Sequence, residues 1–185
     1  MVDSLFASAP GFDQPLAVLK HCHDRIRKQL ATLDKLHLYL AQPGAQSDAQ
    51  AQAAAKAVLN YFQKAAPLHH EDEEIDLFPT LGSTAQGDDL ALFQELLPRI
   101  LQQHTQMAEQ WQRLEQQLLR IAEGQAQSLQ ASELQAFQSL YQEHMQIEET
   151  QIAVMAARLF SAEQMQKLGG AMQARRGISS NIQLN

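Results

Sequence analysis

Apolar residues recur at every third or fourth position through four long stretches of this chain, and that period is the strongest constraint on its fold. The first stripe is Leu16, Leu19, His23, Ile26, Leu30, Leu33, His37 and Leu40; the second is Val58, Phe62, Ala65, His69, Glu73 and Leu77. The third is Phe93, Leu97, Ile100, His104, Met107, Trp111, Leu114 and Leu118, and the fourth Leu134, Phe137, Tyr141, His144, Glu148, Ile152 and Met155. Residues so spaced fall on one face of an α-helix. Strand-like alternation of Val, Ile and Thr is hardly present, and only 8 Gly and 6 Pro interrupt 185 residues. The fold class that follows is all-α.

Helix breakers and capping residues divide the chain. Pro15, after Asp13 and Gln14, suits a first turn. Helix one then runs to about Ala41, before Pro43-Gly44. Ser47 with Gln50 resembles a capping box for helix two, which continues to Phe78-Pro79 with a kink at Pro67. Gly82 to Gly87 reads as a connection, and Asp88 or Asp89 as the cap of helix three, which carries Pro98 and ends at Gly124. Ser132 with Gln135 starts helix four, which reaches about Phe160, and Ser161 opens a short fifth helix ending near Gly177. Short connections between long helices imply an antiparallel, up-down-up-down four-helix bundle. One domain is expected over 1–185, with a bundle core at about 14–160 and a short helix and loose tail over 161–185.

The stripes are not wholly apolar. Each carries a histidine, and two carry His-x-x-x-Glu, His69 to Glu73 and His144 to Glu148, which places imidazole and carboxylate one turn apart on the same face. An ionised glutamate is costly to bury without a compensating charge, and no arginine shares these stripes near Glu73 or Glu148. His23, His69, Glu73, His104, His144 and Glu148 are therefore the candidate ligands of a buried pair of metal ions. His37 lies about 21 Å beyond His23 along the helix axis and reads as structural. His21 and His70 point off the stripes by about 100° per residue and read as non-ligands. Glu71, Asp72, Glu74 and Glu149 read as solvated faces or outer hydrogen-bond acceptors, with Glu74 and Glu149 the replacements if the register slips by one. Arg175-Arg176 reads as a solvated C-terminal turn complementing the helix dipole.

Composition removes other classes. A net charge of −7 argues against a nucleic-acid surface, and no apolar run approaches the roughly 20 residues needed to cross a bilayer. The N-terminal stretch has no signal-peptide pattern. The lone cysteine, Cys22, rules out an internal disulfide framework and fits a reducing compartment, so the cytoplasm is expected. No nucleophile triad, phosphate-cradling loop or dinucleotide fingerprint is present. Four imidazoles and two carboxylates exceed the needs of one tetrahedral zinc and suit iron or manganese. If each glutamate bridges two ions, with a shared oxo or hydroxo group, about one position per ion stays open on octahedral centres.

The residues also carry a family resemblance. His23 in His23-Asp24-Arg25-Ile26-Arg27, the run from His69 to Pro79, His104, and His144 to Glu148 together resemble the hemerythrin family in its HHE cation-binding branch, over about Pro15 to Phe160. The resemblance implies a cofactor of two non-haem iron ions, oxo- or hydroxo-bridged, with Glu73 and Glu148 bridging and manganese or zinc able to substitute. It implies binding or sensing of O2 or NO, or handling of iron, at that pair. The alternative is a di-iron enzyme reducing peroxide or oxidising ferrous iron. Oxygen carriers of the family have a further histidine one turn after the third-helix ligand, where this chain has Ala108. The expected partner is a small ligand such as O2, NO or peroxide, and the short fifth helix either covers the bundle or mediates a homodimer.

Overall fold

The computed structural model describes residues 9–126 and 128–178. Its long helices are α1 (Pro15–Leu40), α2 (Ala49–Glu71), α4 (Gly87–Ala122) and α5 (Ala131–Ile147). A π-helical turn, Asp72–Leu77, joins α2 to the short α3 (Phe78–Thr84), and a second, Glu148–Ile152, joins α5 to α6 (Ala153–Leu159). The chain closes with α7 (Ala162–Arg175). No strand occurs among the described residues. None of these helices is long and apolar enough to cross a membrane.

The long helices pack in a ring, α1 on α2, α2 on α4, α4 on α5 and α5 on α1. Side chains from all four fill two apolar clusters. One, with Ile26, Phe62, Met107, Leu114 and Phe137, occupies one end of the bundle. The other, with Leu19, Leu77, Phe78, Ile100 and Ile152, occupies the opposite end. Along every long helix the candidate ligands fall between a member of one cluster and a member of the other. A thin polar layer is thus enclosed between two dry ones.

Several local details differ from the sequence reading. Asp48, not Ser47, caps α2, its carboxylate accepting the Ala51 N–H and the Tyr39 hydroxyl. Ser47 is instead buried and donates to the Ala126 carbonyl. The stretch after Pro79 stays helical through Gly82, leaving only Ala85 and Gln86 as the connection into α4. Gly82 packs face-on to the Phe93 ring, where an added Cβ would meet it at 3.1 Å. Asp88 and Asp89 lie inside the first turn of α4, and Asp89 pairs with Arg158 of α6. Gln130, not Ser132, precedes α5. The reading of Ser161 holds: it forms a full capping box with Gln164 at the start of α7.

Helix α7 lies across α1 and the first π-helical turn. Gly169 permits this, because a Cβ there would overlap the Phe12 carbonyl of the segment leading into α1. Backbone cannot move aside as a flexible side chain would. Gly169→Ala is therefore expected to cost about 1–3 kcal/mol. In a protein of this size each kcal/mol lowers Tm by about 2–4 °C, and a thermal melt checks it. Gly170→Ala, with open space at its Cβ, should be near neutral.

Candidate metal centre

The site begins with the two wide turns. Phe78 donates its N–H to the Glu73 carbonyl, and Ala153 donates to the Glu148 carbonyl, each five residues back rather than four. Pro79 contributes at the first, since it has no N–H for the Ile75 carbonyl one α-turn earlier. A wide turn holds an extra residue, so neighbours on the chain can both face inward. Asp72 and Glu73 are 0 % and 1 % exposed, Glu73 within the bundle and Asp72 under the arginines at the end of α7.

Two groups of donors meet at Glu73. His23, His69, Glu73 and Glu148 each offer an atom, all within 4.8 Å of one another; His70, Glu73, His104 and His144 do the same. Glu148 also lies between the groups: its Oε2 is 3.1 Å from His23 Nε2 and 3.1 Å from His144 Nε2. Glu73 Oε1 is 3.2 Å from His69 Nε2, and its Oε2 is 3.6 Å from His104 Nε2. The six side chains singled out from the stripes are thus all buried and all brought together.

The outward ring nitrogens fix how the imidazoles are used. His23 Nδ1 donates to Glu149 Oε1 at 2.9 Å, and His104 Nδ1 to Glu74 Oε1 at 2.6 Å. His144 Nδ1 donates to Gln103 Oε1 at 3.3 Å. Arg27 Nη2 donates to the same Glu149 Oε1 at 2.8 Å. Such partners orient a ligating histidine and leave the inner nitrogen as an electron-pair donor. With neutral rings, the inward Nε2 atoms of His104 and His144 oppose lone pairs across 3.3 Å. Only a proton or a cation between them relieves that.

The electrostatics point the same way. Burial, then the neighbouring Glu148 charge, pushes the Glu73 carboxyl well above the usual range. Glu148 differs when no cation is bound: burial would raise it, but charge and hydrogen bonds from His144 and His23 then outweigh that and hold its carboxyl well below the usual range, the place a cation would take. Burial keeps His69 and His70 well below the ordinary imidazole value, and lowers His104. Both ring nitrogens of His69, His70 Nε2, Glu73 Oε2 and Glu148 Oε1 are buried without a hydrogen-bond partner among the described residues. Orphaned buried polar atoms are costly and uncommon, and one nitrogen from each of these rings and an oxygen from each carboxylate can meet in the two donor groups. A pair of cations would satisfy them together, so the residues present fit the metal pair.

Three assignments made from sequence change. His70 is not a bystander: its ring stacks on His104 at 4.0 Å, and it belongs to the second donor group. The 100° between adjacent residues excludes it from a point-like site, but a dinuclear site is wide enough for His69 and His70 to address one group each. Asp72 is not solvated but wholly buried. Its carboxylate accepts from Arg175 and Arg176 of α7, with Arg176 Nη2 at 2.6 Å. The arginine pair is therefore a partly buried clamp on a buried aspartate and not a solvated turn. Glu74 and Glu149 take the outer positions described above, outside both donor groups. His37 is half-buried in the last turn of α1, and neither it nor His21 belongs to either group.

A small cavity reaches the first group. Leu16, Leu19, Leu77 and Ile152 wall it, and His23, Glu73 and Glu148 form its floor. Its volume of about 30 Å³ holds one water or a diatomic molecule.

A helical bundle whose core carries two histidine–carboxylate cages sharing a glutamate defines a class: proteins built to hold cations inside four helices. The comparison with protein families agrees. Residues 14–156 match the hemerythrin HHE cation-binding domain, and the chain belongs to that family. It is also similar to an uncharacterized protein of Haemophilus influenzae, strain Rd, with 30 % identity over 170 residues, covering 90 % of this chain and 92 % of that one.

Proposed function

We propose that this protein binds a pair of non-haem iron ions, with His23 and His69 on one, His70, His104 and His144 on the other, and Glu73 and Glu148 bridging. Its role in this reading is to sense or bind O2 or NO, or to handle iron. The observation that carries it is the convergence of unpartnered electron-pair donors from four helices on two points with Glu73 common to both. The ring order of the helices and their short connections support the antiparallel up-down-up-down arrangement. When bound, the pair would supply open positions and one-electron redox chemistry. The protein's own part is to fix six or seven donors, to hold three imidazoles by their outer nitrogens, and to limit the ligand's size at the 30 Å³ cavity. The uneven division, two imidazoles against three, leaves the His23 side the less filled, which is the side this cavity reaches. That match favours a small exogenous ligand over iron storage.

Elemental analysis of protein produced with added iron tests this, joined to an absorption spectrum in air. Two irons per chain are expected, with ligand-to-metal bands that shift when azide is added. One zinc per chain, or no metal and unaltered stability after chelation, would overturn it. Steady turnover of peroxide or ferrous iron by catalytic amounts of protein would select the enzymatic alternative over stoichiometric binding.

A further inference from the structure

A second cavity opens on the opposite flank of the centre, between α2 and α4, with a volume of about 170 Å³. Its mouth lies between Pro67 and Ala108, both exposed, and its inner end is His70. A larger residue at position 108 would close that mouth, so the opening follows from the same alanine that departs from the oxygen carriers. The walls are aromatic: Phe62, Trp111 and Tyr141. None of the lining residues carries a cationic side chain to receive a carboxylate, and none is acidic. Two polar groups face the space. His70 presents a ring stacked between those of His104 and Tyr141, at 4.0 Å and 6.3 Å. Tyr141 is 3 % exposed, and its hydroxyl forms no hydrogen bond with any described residue. It is not among the fully enclosed unpartnered atoms, so the hydroxyl keeps access to a molecule in the space that Tyr141 lines. Burial also pushes that hydroxyl well above the ordinary tyrosine range, so it stays protonated and able to donate.

We infer that this cavity is a binding site for a neutral single-ring phenol, its ring held among Trp111, Tyr141 and His70 and its oxygen accepting the Tyr141 hydroxyl proton. Size selects one ring: an engineered apolar cavity of about 150 Å³ holds benzene, and this one has room for a hydroxyl besides. The aromatic walls favour a flat π-system in offset or edge contact, and Met107 adds a sulfur able to contact a ring edge. The absence of a cation among the lining residues disfavours aromatic acids. The ligand so held lies one imidazole away from the second donor group. The site uses no metal, so it stands or falls apart from the proposed function.

The chain supplies its own reporter, since Trp111 is its single tryptophan. Titrating phenol into the full chain as purified, and again after chelation, with excitation at a wavelength selective for tryptophan, should give a saturable change in emission in both. Calorimetry should give the same dissociation constant. Ala108→Phe, at an exposed position, should abolish the change while leaving metal content and helicity intact. Tyr141→Phe should weaken phenol about tenfold or more, because a site built around a hydroxyl discriminates strongly once its partner is lost, yet leave benzene binding unaltered. No saturable signal at millimolar phenol, or a signal that survives Ala108→Phe, would overturn the inference. Equal affinity of Tyr141→Phe for phenol would overturn the hydrogen bond. Iron-free protein that still binds phenol would separate this site from the fate of the metal assignment.

Discussion

Glu73→Ala is expected to empty the centre of both ions, while His70→Ala leaves about one per chain and His37→Ala leaves two. The asymmetry follows from connectivity. Glu73 is the one residue common to both donor groups, whereas His70 belongs to the second alone and His37 to neither. Losing an outer-shell partner of a ligand already costs about 10–100-fold in metal affinity, so losing a donor shared by two ions should cost well over that. Glu148→Ala should behave like Glu73→Ala, because its Oε2 sits 3.1 Å from a histidine of each group. Metal content by elemental analysis after gel filtration reads all four. Equal content in Glu73→Ala and His37→Ala would end the site assignment, and full content in His70→Ala would return that residue to a packing role. Stability should move the other way. In chelated protein, Glu73→Gln removes a buried carboxyl that resists ionisation, so it should be no less stable than the chelated parent. That is the pattern of a residue kept for binding at a cost to folding.

Much of this was legible in the one-dimensional pattern, for a physical reason. A helical period with a histidine on every stripe constrains both what is buried and which side chains face each other. The stripes placed His23, His69, Glu73, His104, His144 and Glu148 together without any knowledge of geometry. The two π-helical turns themselves stayed hidden. Pattern reading assumes 100° per residue throughout, and a turn that holds one extra residue breaks that assumption locally. Asp72 was misassigned because what covers it is not its own bundle but Arg175 and Arg176. Pro79 in the sequence His69 to Pro79 was the available signal, since a proline in a helix frees the carbonyl four residues back and invites a wider turn. His70 was missed for a different reason. Its neighbour His69 satisfied the stripe, and a site treated as a single point has no use for both. Ala108 was the clue, an open place on α4 beside which another imidazole could fit. The arginine pair was missed because its partner lies about a hundred positions away in the chain, and no local pattern reports a contact of that range.

Breaking the clamp between α7 and the first wide turn should produce the largest loss of stability available outside the core. Asp72 is fully buried and takes both guanidiniums; Arg175 also reaches Asp76 at 2.6 Å and Glu71 at 3.4 Å. Asp72→Ala strands Arg176, 18 % exposed, and takes one of three carboxylates from Arg175, 14 % exposed. Removing one partner from a buried charge cluster costs about 3–5 kcal/mol. Because Arg175 keeps Asp76 and both arginines lie near the surface, the lower end, about 3 kcal/mol, is expected here. At about 2–4 °C per kcal/mol, the melting midpoint should fall by roughly 6–12 °C. The sign of a second experiment separates charge from shape. Replacing Asp72, Arg175 and Arg176 together by apolar residues of similar volume should recover most of the loss, since apolar replacements of buried ion clusters are often neutral or better. Metal binding should not recover with it. Asp72 precedes Glu73, and the clamp is what ties α7 to the turn that aims that carboxylate, so the triple variant should be stable yet bind iron about tenfold or more weakly, as loss of an outer-shell support does. A triple variant with full stability and full affinity would reduce the clamp to a fastening for α7. Destabilisation of Asp72→Ala by under 1 kcal/mol would show that water reaches the arginines and that the cluster is not buried in the sense its geometry implies.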